Sequence, residues 1–311
     1  MTGRSHPNMY VEGFVKTDDV NLHYLEWEGE STPLLLLAGL GSTAHIFRSL
    51  GSRLAHRHRV IALTRRGHGQ SDRPESGYRL ERLAADIADF LDMLAVDGVV
   101  LVGHSFGGIE IPFFADQYPD RVDSLVFLDG IYHSAVTPPD TSEDPIWSVT
   151  ADYPSADQVD SIDTFLQQYK RYRPDLARIW CDAIEADVME YLSIGDEGKV
   201  ADSRDNDLFA QLLKEAMANL PDYDLGDVPV LAIVPDGDYH PSVPSDAEEE
   251  LKRRADHFWR QVMRPWIRAR TAAFKEAAPQ AVIAEFDSSN HHIFVDLEDE
   301  TVAAIRHFLD R

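Results

Sequence analysis

Several features that would mark a special class of protein are scarce in this 311-residue chain. It has one cysteine, Cys181, so no disulfide can form within the chain, and nothing indicates an oxidising compartment. No segment approaches the roughly 18 apolar residues of a membrane span, and the first dozen residues lack the apolar stretch of a secretion signal. We therefore expect a cytoplasmic protein without a membrane partner.

Positive charge is also scarce. The chain has 29 Lys and Arg residues against 54 Asp and Glu residues, which gives a formal net charge of −25. A surface this acidic repels phosphate backbones and anionic lipids. We accordingly expect neither a nucleic-acid partner nor a membrane surface, but a small-molecule substrate and a monomer or homodimer.

Metal and cofactor motifs are missing as well. His240 lies near Asp236 and Asp238, but no second histidine stands at ligand spacing from it. No glycine-rich phosphate loop occurs. The sequence thus predicts no metal and no cofactor.

What the chain does have is apolar residues, 44% of the total, arranged in short runs between amphipathic segments. Gly13–Lys16 and Val20–Glu26 alternate apolar and polar residues, which predicts an antiparallel hairpin at a sheet edge. Continuous apolar runs that predict buried strands are Pro33–Ala38, Val60–Thr64, Val99–Val102, Ser124–Leu128, Pro229–Val234 and Ala281–Phe286. Helical spacing at 80–94 and 298–309 completes an α/β pattern. We predict a mostly parallel central sheet with helices on both faces.

The strand rhythm stops after Asp129. Helical patterns at 161–172, 175–191 and 206–219 follow without a strand signal, which predicts an all-helical insertion over 131–228 on a core of 1–130 and 229–311. The connection 245–277 is unusually long, and Pro265 should kink or split its helix. This connection packs on the core, forms a further cavity wall or provides a dimer surface.

The sharpest motif is Gly103-His104-Ser105-Phe106-Gly107, which lies between a predicted strand and a predicted helix. Such a turn holds the serine in a strained conformation at the carboxyl edge of the sheet, and glycines on either side let the backbone pass closely. Ser105 is therefore our candidate nucleophile.

With this motif the chain resembles the α/β-hydrolases, and the resemblance extends over nearly its whole length. It implies that residues 131–228 form a cap domain over the site, in which aromatic residues could line a pocket. It also implies that Ala38-Gly39-Leu40-Gly41 is the oxyanion loop, with Ala38 in place of the usual His. The amides of Leu40 and Phe106 would then hold a developing oxyanion. Residues 66–71 (RGHGQS) resemble a family turn to which we assign a structural role. The candidate pocket aromatics are Trp147, Tyr153, Phe165, Tyr169, Tyr172, Trp180 and Tyr191.

The family order of Ser, acid and His supplies candidates for the other two positions. His291 lies five residues beyond a predicted strand, where the family places its base, and the adjacent His292 is the alternative. Asp238 aligns with the usual acid, with Asp236 and Asp129 as alternatives. A triad of this kind activates the serine hydroxyl through the imidazole, whose tautomer the acid fixes.

The resemblance implies a serine esterase that acts on a small or medium ester without a cofactor. Lactonases, amidases and carbon–carbon bond hydrolases share the triad and remain alternatives, whereas epoxide hydrolases and haloalkane dehalogenases of this fold carry Asp at the nucleophile position. A ligand-binding receptor on an inactive version of the fold is the alternative from another functional class.

Overall fold

The structure is a computed structural model that describes residues 9–146, 159–195, 198–220 and 222–311. Its centre is an eight-stranded sheet in the order β1-β2-β4-β3-β5-β6-β9-β10, and β7 and β8 form a separate hairpin. The strands are β1 (Val11–Lys16), β2 (Asn21–Trp27), β3 (Ser31–Leu37), β4 (His58–Leu63), β5 (Val99–His104), β6 (Val122–Leu128), β7 (Leu192–Ile194), β8 (Val200–Asp202), β9 (Val230–Pro235) and β10 (Val282–Phe286). In the large sheet β2 pairs antiparallel with β1 and β4, and all other pairs are parallel. The predicted edge hairpin and mostly parallel sheet are confirmed.

Helices cover both faces of this sheet. They are α1 (Arg48–Leu54), α2 (Leu80–Met93), α3 (Gly107–Gln117), α4 (Ile162–Tyr172), α5 (Pro174–Arg178), α6 (Asp182–Met189), α7 (Asn206–Ala218), α8 (Glu249–Phe258), α9 (Arg264–Ala277), α10 (Ile293–Asp296) and α11 (Glu298–Leu309), with a 3₁₀ turn at Ala44–Phe47. No helix within the described ranges is both long and apolar enough to cross a membrane.

The apolar run in β3 shows how the sheet is stabilised. Leu34 and Leu36 pack on one side with α1 and α11, and Leu35 and Leu37 pack on the other with α2, α3 and α9. All four side chains are at most 1% exposed. Burying a leucine contributes roughly 1.5–3 kcal/mol, so a strand that is apolar on both faces fits only the middle of a covered sheet.

The insertion over the sheet, residues 131–228, differs from the prediction in two respects. Its described part contains α4–α7, but β7 and β8 interrupt them, so the expectation of an all-helical segment is wrong there. Strands of three residues are too short to leave an alternating pattern in the sequence. The helix predicted over 175–191 is two helices, because the backbone becomes extended at Cys181 before α6 begins. We call 131–228 the cap.

The long connection contains α8 and α9, joined by a π-helical turn at Trp259–Met263. The backbone stays helical from α8 to α9, so the predicted split at Pro265 does not occur; the chain passes instead through the π-helical turn next to this proline. Ile267 and Phe274 of α9 are buried, which supports packing on the core for this half.

The turn that follows β4 has the structural role predicted for it. Arg66 is 1% exposed and donates to Asp86 of α2 and to Asp19 of the first hairpin. His68 is buried and its Nδ1 lies 3.2 Å from the carbonyl oxygen of Arg66. The turn therefore ties the sheet edge to α2.

Close backbone contact at the start of α3 leads to a stability prediction. A Cβ at Gly108 would lie 2.1 Å from the carbonyl oxygen of Gly130, whereas a Cβ at Gly98 would meet only the Asp123 carboxylate, at 3.1 Å. We expect Gly108→Ala to lower the free energy of unfolding by about 2 kcal/mol or more, because the backbone must shift. The matched control Gly98→Ala should change it little. Equilibrium urea unfolding measures both, and equal stability of the two variants would contradict the contact.

Candidate active site

Ser105 lies in the abrupt turn between β5 and α3. Its φ of 50° is in the left-handed region that non-glycine residues rarely adopt. A Cβ at Gly103 would lie 2.4 Å from the carbonyl oxygen of Gly107, and one at Gly107 would lie 2.3 Å from that of Leu37. Both glycines are therefore required by the close backbone approach, as the sequence predicts. Ser105 and His291 line one cavity of about 480 Å³.

His291 is the histidine that meets an acid. Its Nδ1 lies 2.6 Å from Oδ2 of Asp129, and its side chain is 39% exposed. Donation from Nδ1–H to the carboxylate leaves the Nε2 lone pair free to accept a proton. His291 is thus placed as a base would be.

The two neighbouring histidines are packing groups. His292 is buried, and burial foremost lowers its pKa well below the ordinary value. Burial likewise lowers the pKa of His104 to about 3. The neutral His104 ring lies 3.0 Å, at Nε2, from the carbonyl oxygen of His291. It therefore fixes the backbone of His291.

The acid beside His291 is Asp129, directly after β6. Its carboxyl is buried, and Arg270 of α9 donates to Oδ1 while His291 occupies Oδ2. Burial by itself favours the neutral carboxyl, but the charges of Arg270 and His291 outweigh it, so the pKa of Asp129 lies below 3.8. Asp129 is consequently ionised at neutral pH.

Asp238 does not reach His291, so the expectation that pairs them is wrong in its geometry. The Asp238 side chain is 62% exposed and lies 3.8 Å from Arg260. Its carboxylate faces solvent and makes no hydrogen bond with His291 among the described contacts.

The loop that carries Asp238 is held away from the cavity. Asp236 accepts hydrogen bonds from Arg264 and Arg268 of α9, which lower its pKa. Gly237 donates to the carbonyl oxygen of Ser288 at 2.8 Å, and its own carbonyl accepts from Trp259 at 3.1 Å. Because both of its carboxylate oxygens are bound by Arg264 and Arg268, Asp236 is not the partner of His291.

Leu40 and Phe106 flank Ser105 as the oxyanion prediction requires, since Leu40 lines the cavity and Phe106 follows the serine. Among the described residues, neither backbone N–H donates a hydrogen bond to another group. Two unpaired amides beside a nucleophile are suited to a developing negative charge.

A buried ion pair fixes the loop that holds Leu40. Arg65 donates to the carbonyl oxygens of Ala38 at 2.5 Å and Gly39 at 3.0 Å, and to both carboxylate oxygens of Glu110 in α3. Arg65 and Glu110 are 6% and 3% exposed. The guanidinium also lies 4.8 Å from the Phe106 ring centroid. Arg65 therefore contacts both the loop that carries the Leu40 amide and the side chain of Phe106.

Residues of the cap line one side of the cavity. Of the candidate aromatics, Tyr169 and Tyr172 line it, whereas Phe165 and Tyr191 are buried elsewhere in the cap. Trp180 packs against Tyr169 at 6.3 Å between ring centroids. Trp147 and Tyr153 lie outside the described residues. Arg173 and Arg204 also line the cavity, paired with Asp175 and Asp202 respectively.

Two residues of this site escape sequence reasoning. Arg270 is 3% exposed and lies on the buried face of α9 between Ile267 and Phe274. A cation within an apolar stripe is a signal that could have found it. The half-buried Tyr132 lies beside both Arg270 and Ser105: its ring centroid is 5.2 Å from the Arg270 guanidinium, and its phenol interacts with the Ser105 side chain.

Comparisons with known proteins agree with the fold described above. A family model described as alpha/beta hydrolase fold matches residues 32–173, a little under half of the chain. The crystal structure of E-2-(acetamidomethylene)succinate hydrolase superposes with a TM-score of 0.72 at 24% identity, covering 97% of this chain and 100% of that one. The chain has the α/β-hydrolase fold.

Sequence similarity to individual α/β-hydrolases is confined to a part of the chain. A 2-(acetamidomethylene)succinate hydrolase of Mesorhizobium japonicum is 40% identical over 102 residues, 33% of this chain and 37% of that protein. Epoxide hydrolase 1 of Caenorhabditis elegans is 32% identical over 130 residues, 40% of this chain and 32% of that protein. The matched segments thus span about a third of the length of these relatives.

The buried pair of Arg270 and Asp129 leads to a stability prediction. Arg270→Gln leaves a buried carboxylate without its cation, which should cost about 3–5 kcal/mol at neutral pH. The control Arg268→Gln, two residues away on α9, breaks an exposed pair and should cost under about 1 kcal/mol.

The pH dependence has a definite sign. In the wild type the depressed pKa of Asp129 adds stability that is present above pH 3.8 and is lost as the pH falls through the folded-state pKa. Without Arg270, burial raises the pKa, so the variant's carboxyl protonates first. Urea unfolding at several pH values should show the gap between wild type and Arg270→Gln narrowing toward acid. A gap that widens toward acid would contradict the ion pair.

Proposed function

We propose that the chain is a serine hydrolase that cleaves carboxylic esters of small or medium size through an acyl-enzyme. The observation that carries this proposal is the contact of His291 with the ionised Asp129 at the cavity that holds Ser105. In this proposal Ser105 is the nucleophile, His291 the base and Asp129 the acid.

The first half-reaction forms the acyl-enzyme. Nε2 of His291 takes the hydroxyl proton of Ser105 as Oγ attacks the ester carbonyl, and the amides of Leu40 and Phe106 stabilise the oxyanion. Asp129 stabilises the imidazolium through Nδ1–H. When the tetrahedral intermediate collapses, the carbon–oxygen bond to the leaving group breaks, and His291 gives its proton to the departing alcohol.

The second half-reaction returns the enzyme to its starting state. Water attacks the acyl carbon and gives a proton to His291, and the bond to Ser105 Oγ then breaks as His291 returns the proton to that oxygen. The carboxylic acid leaves, so each cycle consumes one ester and one water.

The identity of the nucleophile narrows the reaction class. Epoxide hydrolases of this fold carry Asp at the turn, where this chain has Ser105. A hydroxyl nucleophile with a neighbouring base is suited to acyl transfer. A cavity of about 480 Å³ favours a discrete small molecule over a polymer.

Amide cleavage is the second candidate function. It is supported by the full-length structural likeness to a hydrolase whose name specifies an acetamido substrate. The same triad serves both bonds. An ester and an amide with the same acyl group separate the two, because a larger kcat/KM for the amide would transfer the proposal to amides.

A covalent probe tests the nucleophile. We expect a fluorophosphonate to label the protein at Ser105 and p-nitrophenyl esters of graded acyl length to be turned over steadily. Ser105→Ala should lose both the label and the turnover. Intact-mass spectrometry and absorbance at the nitrophenolate band provide the measurements. Tight ester binding without turnover or label in the wild type would instead identify a receptor.

A pair of acid variants tests the assignment of Asp129. Asp129→Asn should lower kcat by about four orders of magnitude, because the amide cannot hold His291 in the required tautomer. Asp238→Asn, the matched control on an exposed loop, should remain within about twofold of the wild type. Circular dichroism confirms folding of both variants. Near-normal turnover by Asp129→Asn together with loss in Asp238→Asn would return the role to Asp238.

A further inference from the structure

Outside the Ser105 cavity, four metal-ligating side chains meet where the cap contacts the sheet edge. Glu12 lies on β1, His23 on β2, His45 in the 3₁₀ turn after the oxyanion loop, and Glu190 directly after α6 of the cap. Ligand atoms of Glu12, His23 and His45 lie within 4.8 Å of one another. None of the four residues lines the Ser105 cavity.

The distances between these atoms have the size that a shared metal ion requires. Nε2 of His23 is 3.1 Å from Glu12 Oε1, and Nε2 of His45 is 3.8 Å from the same oxygen and 3.4 Å from Glu190 Oε1. Four ligands at roughly 2.0–2.2 Å in a tetrahedron lie about 3.4 Å apart. The Gln70 side-chain amide lies 3.2 Å from both Glu12 Oε1 and Glu190 Oε1, so an ion that binds all four side chains would replace this amide and draw the two carboxylates together.

The buried polar atoms of this cluster point to a missing ligand. His45 is 6% exposed; its Nδ1 has no hydrogen-bond partner among the described residues, and its Nε2 faces the carboxylates of Glu12 and Glu190. Oε2 of Glu190 is also buried and lacks a hydrogen-bond partner among those residues. Burying such groups without partners costs free energy that a bound cation would recover.

His23 is already oriented as a ligand. Its Nδ1 lies 2.9 Å from the Thr64 hydroxyl, which leaves Nε2 directed at Glu12. A hydrogen bond on the far nitrogen is the usual support of a metal-bound histidine.

We propose that Glu12, His23, His45 and Glu190 bind one zinc ion that fastens the cap to the sheet edge. Two imidazoles and two carboxylates form a donor set that zinc accepts in tetrahedral geometry. Glu190 is the ligand from the cap, and the other three belong to the core. Asp187 of α6 already joins the cap to the core, because its carboxylate accepts hydrogen bonds from the amide and the hydroxyl of Thr43 at 2.6 and 2.8 Å.

Zinc binding to the full chain, stripped with a chelator and freed of any histidine tag, tests the proposal. Titration with zinc chloride by calorimetry should show one tight site per chain and a rise in the unfolding temperature, because the ion binds only the folded state. His45→Gln and Glu190→Gln should each weaken binding at least tenfold and abolish the rise. His56→Gln, an exposed histidine elsewhere, should retain both.

Either of two results would overturn the zinc proposal. Absence of zinc uptake by the wild type, or uptake unchanged in both His45→Gln and Glu190→Gln, would reduce the cluster to an ion pair of His45 with two carboxylates. Should His45→Gln fail to fold, Glu190→Gln alone decides, since Glu190 lies at the end of a cap helix. Hydrogen exchange of residues 182–190 gives a readout independent of catalysis, and zinc should slow it in the wild type only.

Discussion

The buried carboxylate of Asp129 depends on having Arg270 on one oxygen and His291 on the other. A carboxylate removed from water takes up a proton unless a cation compensates it, and a protonated carboxyl could not hold the histidine in one tautomer. Arg270 can occupy this position only because α9 docks its apolar face on the core. The long connection before β10 thus contributes to the chemistry of the site as well as to packing.

Much of the fold follows from short-range patterns. Gly103 and Gly107 are required because a Cβ at either position would lie under 2.5 Å from a backbone oxygen. Such a local constraint can be recognised in one stretch of sequence. Strands that are apolar on both faces are recognisable for the same reason. The helical spacing of 298–309 predicts the bounds of α11 correctly.

Which carboxylate contacts His291 could not be predicted in this way. Asp129, Asp236 and Asp238 all follow strands at the carboxyl edge of the sheet, so spacing alone does not separate them. The choice depends on which arginines of α9 reach which loop: Arg270 approaches Asp129, while Arg264 and Arg268 hold Asp236. The Glu12–His23–His45–Glu190 cluster likewise depends on tertiary contacts between segments that no sequence spacing connects, whereas β7 and β8 are simply too short to leave a pattern.

The buried pair of Arg65 and Glu110 has an evolutionary consequence. Loss of either charge would leave the other buried without its counter-ion. Because Arg65 also donates to the carbonyl oxygens of Ala38 and Gly39, the loop would loosen at the same time. Neither position can drift alone. Descendants of this chain should therefore keep both residues or exchange them together, and a library that randomises one position should recover few functional clones unless the other varies with it.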